Sequence, residues 1–150
     1  MVARGVVRGA IVAGRSQSET YAPKVYGSDV LTVEQLALCI KQASKLDGDN
    51  ERLEADRSTL LVSKSAIDAS SMEVELQRPL VDHYSKRSVE AFNALIDRYN
   101  GLVTSRKAKQ ASFNAIVDTF DFQVNAYNAA CVKQYYADDL PDAQKLAAQP

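Results

Sequence analysis

Large aromatic residues recur every seven positions through the second half of the chain, at Phe92, Tyr99, Phe113, Phe120 and Tyr127, with Arg106 the single interruption. Aromatics make up only 7% of the sequence, so the spacing is a pattern and not an effect of abundance. A seven-residue repeat keeps one side of an α-helix turned toward a neighbour. It commits this half of the chain to one long helix that packs on another. Two further apolar rows flank the aromatics: Leu95, Leu102, Ile116 and Ala130 on one side, and Ile96, Val103, Val117, Val124 and Cys131 on the other. Together they make a face wider than a two-stranded seam requires.

The first half carries one strong row at the same interval: Cys39, Leu46, Leu53, Leu60, Ile67, Val74 and Val81. Gly48, within LDGDN, is a residue that often ends a helix. The row nevertheless runs through it without a change of phase, which predicts one helix over about 32–77. Thr32 followed by Gln35 reads as a capping box, with Leu31 and Leu36 as its hydrophobic staple. Pro79 removes a backbone donor and disfavours helical geometry at Arg78, so the helix ends or kinks there. A second helix is expected from about 86, after Ser85 or Ser88 with Tyr84 and Val89 as its staple, to about 138. Pro141 follows as a stop and residues 141–150 as a frayed tail.

Residues 1–30 hold four of the six glycines and no sustained periodicity, and read as an irregular leader or flexible segment. Arg4, Arg8 and Arg15 with no acid before Glu19 suit a transit peptide slightly better than a secretory signal, whose apolar stretch Arg8 would interrupt. A disordered leader, or a start codon assigned in the wrong place, accounts for them more simply. The domains expected are therefore 1–30, a helical hairpin at 31–140, and the tail.

Both cysteines lie on apolar rows, Cys39 near the start of the first helix and Cys131 near the end of the second. Folding the chain back so that they meet sets Leu46 by Val124, Leu53 by Val117, Ile67 by Val103 and Val74 by Ile96. Only Leu60 then faces a polar residue, Gln110. Heptad spacing alone also permits slips by seven. A bridge closing so long a loop stabilises by about 4–5 kcal/mol in the chain-entropy model and implies an oxidising compartment. Two buried free thiols are the alternative.

LTVEQLALCIKQASKLD, VEAFNALIDRYNGLV and FNAIVDTFDFQVNAYNAACVKQ resemble a loose set of bacterial extracytoplasmic coiled-coil proteins. Those pair one cysteine near the start of an acidic first helix with a second helix repeating Tyr-Asn or Phe-Asn and ending in Asn-x-x-Cys. The resemblance spans about 31–136. It implies a hairpin, a disulfide and export to the periplasm or beyond the cell, and no particular activity. The N-terminus departs from it in lacking a convincing signal peptide.

Lys plus Arg number 18 against 19 Asp plus Glu, so no gross attraction to nucleic acid or an anionic membrane is expected. The halves differ, with 6 basic and 10 acidic groups in 31–84 and 7 and 5 in 85–138. No run is long and apolar enough to span a membrane. His83, the only histidine, falls in the expected connection, where no pocket or partner acid makes it catalytic. Asp47, Asp49 and Glu51 echo a calcium loop without its glycine or final acid. Two cysteines and one distant histidine make no metal site. Asn93, Asn100, Asn114 and Asn128 form a polar row beside the aromatics. Arg106, Lys109 and Gln110 occupy positions that are apolar in other heptads. They read as long stems reaching out of a narrow seam, or as a docking point for an acidic partner.

The fold expected is all-α, a long antiparallel two-helix coiled-coil hairpin clamped by Cys39 and Cys131 at its open end. The function expected is a non-enzymatic structural or interaction module, without cofactor. It self-associates as a homo-oligomer or docks a protein through the aromatic stripe, whose excess width calls for a second hairpin, the N-terminal segment or a partner. A holdase-type chaperone is the alternative.

Overall fold

A computed structural model describes residues 23–150 of the chain. The expectation of a leader lies largely at residues 1–22, outside the described residues. Two long helices dominate, α1 at Val33–Gln77 and α2 at Lys86–Cys131, antiparallel and joined by a short connection. A third, α3, covers Leu140–Ala147. Cys39 and Cys131 are bonded, with their Cα atoms 5.6 Å apart, so the hairpin is clamped at its open end.

The capping box starts α1. The Gln35 amide donates to Thr32 Oγ1 at 3.3 Å, and the Thr32 amide donates back to Gln35 Oε1 at 3.1 Å. Leu31 and Leu36 are both buried beside it, which is the arrangement of a hydrophobic staple. Gly48 is helical, and a Cβ added there would meet nothing within 4 Å. At the other end Pro79 stands early in a 3-10 turn at Arg78–Leu80, and Val81 is extended. The Ser88 amide donates to Ser85 Oγ at 3.3 Å and opens α2. Tyr84 is fully exposed, so the staple read with Val89 does not form.

The second helix ends at Cys131, seven residues short of the expected boundary. The backbone instead turns to pair with the segment before α1. The Leu31 amide donates to the Gln134 carbonyl at 2.8 Å, and the Gln134 amide to the Asp29 carbonyl at 3.0 Å, a single parallel bridge. These bonds reach across the chain and leave no local mark in the sequence. The tail is not frayed, because Pro141 sits in the first turn of α3. Proline there lacks only an N–H that a helix start leaves unused.

The chain divides into two compact units. The first joins the described residues up to Glu51 to Val117–Pro150; the second is Arg52–Ile116. In the first unit Leu36, Cys39, Ala43 and Leu46 are buried on α1, and Phe120, Val124, Tyr127 and Cys131 on α2. In the second, α1 buries Leu53, Leu60, Ser70 and Val74. The register expected from the cysteines holds there, since Arg98 pairs with Glu73 and the Asp82 amide donates to Ser88 Oγ at 3.0 Å.

Candidate interaction face

The two units treat the aromatic row differently. Phe120 and Tyr127, in the first, are buried in the hairpin's own seam. Burial lifts the Tyr127 hydroxyl above the ordinary phenol range, with the Asp47 carboxylate adding to the effect. Neither ring is free to receive another protein. Phe92, Tyr99 and Phe113, in the second unit, are only half-buried.

That difference extends to the whole second helix. All four buried side chains of α2 belong to the first unit. From Lys86 to Ile116 none is buried, although Leu95, Ile96, Leu102, Val103 and Ile116 join the three aromatics on its apolar rows. The opposing stretch of α1 has one narrow row and covers α2 only in part.

Two open hollows result within this unit. One is floored by Leu60 and Phe113, with Ile116 beside them and Asp56 and Lys109 at its sides. The other lies between Val81 and Gln77 on one side and Phe92 and Leu95 on the other. Their linings correspond by three heptads: Val81 follows Leu60, Gln77 follows Asp56, Phe92 precedes Phe113, and Leu95 precedes Ile116. A hollow at the same heptad positions occurs in the first unit, between Leu46 and Tyr127 with Ala130 and the exposed Phe122. Hollows repeating by whole heptads are what the side-chain knobs of another helix fill.

The basic interruption is divided by the structure. Lys109 borders the first hollow, and Gln110 donates along its own helix to Asn114 Oδ1 at 2.9 Å. Arg106 is half-buried with its Nε enclosed and without a hydrogen-bond partner. Arg57 and Lys64, across the seam, are engaged by Glu54 and Asp68 along α1.

Two features were not anticipated from the residues. On α1, Leu61, Val62, Met72 and Leu76 are all at least 60% exposed, an outward face whose only signal was the seven-residue step Val62, Ala69, Leu76. At the disulfide end, Lys24 pairs with Asp138 and Asp139, and the Tyr26 hydroxyl donates to Asp139 Oδ2 at 2.9 Å. The Tyr26 and Tyr136 rings meet edge to face at 5.5 Å, and the Tyr136 hydroxyl bonds the Val25 backbone. Hydrogen bonding to Asp138 and then Asp139 raises the Lys24 ammonium above its ordinary range, and the same lysine lowers Asp138.

His83 is exposed in the connection, where the Asp82 carboxylate accepts from the Tyr84 amide at 2.9 Å. Among the described residues no group of three His, Cys, Asp or Glu side chains is placed to hold a metal ion, and no helix is long and apolar enough to cross a membrane. No protein-family model, curated protein or solved structure matches the chain.

Proposed function

We propose that this hairpin is a non-catalytic protein-interaction module whose docking face is the aromatic side of α2 in the Arg52–Ile116 unit. One observation carries the reading: across that unit α2 keeps three aromatic and five aliphatic heptad residues without a single buried side chain. A lone pair of helices leaves that surface wet at a cost of about 25 cal/mol per Å² of apolar area. A helical partner removes the cost and finds hollows at the spacing its own side chains require. The disulfide fits assembly in an oxidising compartment outside the cytoplasm.

The test is a photo-crosslinking residue at Leu102, compared with one at Asn125 on α2 outside this unit, in the native host. Capture of a protein, this chain or another, from 102 and not from 125 is the expected result. Equal or absent capture from both positions counts against the reading.

The outward face of α1 favours a second reading, a holdase-type chaperone that binds unfolded chains on Leu61, Val62, Met72 and Leu76. Suppression of the aggregation of a heat-denatured client, lost on Val62→Asp with Leu76→Asp, is its signature.

A further inference from the structure

Resting on the interaction-module reading, we infer that the occupant of this face is a second copy of the chain. Its two-fold axis runs parallel to the helices and sets Asp56 of each copy against Lys109 of the other.

The inference starts from the hollow floored by Leu60 and Phe113. Asp56 borders it from α1 and Lys109 from α2. Neither takes part in an ion pair among the described residues, although most nearby α1 charges are paired. The hollow three heptads away has uncharged residues, Gln77 and Ser88, at the equivalent positions. One opposite-charge pair is therefore held apart on the sides of an apolar hollow, where neither member satisfies the other.

Laying two such units face to face resolves it. With the two-fold parallel to the helices, α1 of each copy lies against α2 of the other, so like hollows oppose each other. Asp56 then meets the partner's Lys109, and Lys109 the partner's Asp56. A two-fold perpendicular to the helices and centred on this hollow opposes Asp56 to Asp56 and Lys109 to Lys109, which like-charge repulsion disfavours. Either axis makes every neighbouring helix antiparallel, the arrangement of a four-helix bundle, so the charges select the parallel one.

The extent of the face agrees. The α1 stretch in this unit is roughly 39 Å long at 1.5 Å per residue, and two helices side by side are roughly 20 Å wide, a footprint of about 800 Å² per copy. That is the size of a standard specific interface.

Charge reversal tests both partner and axis, because each single reversal poisons the self-pair while the two reversals complement each other. Asp56→Lys offers two lysines per copy, and Lys109→Asp two aspartates. Sedimentation equilibrium at about 0.15 M salt, where surface charges still act over about 8 Å, should give a wild-type dimer. Each reversal should weaken self-association roughly tenfold or more. An equimolar mixture of the two should form a heterodimer near wild-type affinity, and the double reversal should dimerise again. Circular dichroism confirms that each variant is helical, and the mixing arm stands even where one variant loses stability. Reversals that leave the dimer unchanged, or singles that do not pair on mixing, overturn the proposed arrangement. A wild type that stays monomeric to about 100 µM, a concentration at which even an 800 Å² interface of modest affinity is populated, overturns the second copy. If that monomer still crosslinks a different protein from position 102, the interaction-module reading survives; if it captures nothing, both fall.

Discussion

Arg98 on α2 meets Glu73 on α1 at a sequence separation of 25, in the same register that brings Cys39 to Cys131. A noncovalent pair in one unit and a covalent pair in the other thus agree on how the two helices are aligned. The ion pair is exposed and contributes little by itself. The covalent pair is the stronger constraint and gives the first prediction. Replacing both cysteines by alanine should cost about 4–5 kcal/mol in the chain-entropy model, given their sequence separation of 92. For a chain of this size that lowers the thermal midpoint by more than about 8 °C. Melting followed by circular dichroism, at concentrations low enough to suppress association, measures it. An unchanged midpoint would mean that packing alone holds the register.

The unequal burial of the aromatic row predicts unequal costs. Phe120→Ala should destabilise by about 3–5 kcal/mol, because a buried ring leaves a cavity. Phe92→Ala, in a half-open hollow, should cost about 1–2 kcal/mol in the monomer. Urea midpoints rank the two, and equal costs would contradict the division of the row.

Helix termini and interiors offer smaller, cleaner changes. Thr32→Ala removes the oxygen that accepts the Gln35 amide and should cost about 1 kcal/mol. Gly48→Ala should do the opposite and stabilise by roughly 0.5–1 kcal/mol, since the site is helical and open to a Cβ. Opposite shifts of the melting midpoint confirm both.

The Lys24 contacts predict a pH dependence with a definite sign. Asp138 has its pKa lowered by hydrogen bonding to Lys24, so its contribution is present above the ordinary carboxylate value of 3.8 and is lost as acidification passes below it. Lys24 has its pKa raised, so its share is complete below 10.5 and is lost only at higher pH. The near-ultraviolet dichroism of Tyr26 and Tyr136 should therefore stay level from about pH 5 to about pH 9 and decline in acid. In Lys24→Met it should already be reduced at neutral pH.

What the residues disclosed and what they concealed divide along physical lines. The two helices, the cap at Thr32 and the disulfide register all depend on short-range periodicity, which survives in a linear reading. The end of α2 does not, because Gln134 leaves the helix to bond Asp29 and Leu31, a pairing set by tertiary contact. Pro141 is ambiguous for a related reason: proline ends one helix and starts another equally well, and only the path of the chain decides. The aromatic row was visible as a stripe, but its partition into buried and half-open stretches depends on how much the facing α1 covers. Asp56 carried no motif at all. It acquires meaning only from sharing a hollow with Lys109.

The bond between Cys39 and Cys131 also divides the chain under tension. Force applied through residue 23 and residue 150 would travel along the terminal segments, through the sulfurs, and back out. The short backbone bridge at Val30 and Gln134 and the docked α3 can peel away and lengthen. The stretch between the cysteines, residues 40–130, lies on the unloaded side of the covalent link and bears no pull while the link is intact. A molecule tethered by both ends would yield a little and then stop, with nearly all of α1 and α2 undisturbed.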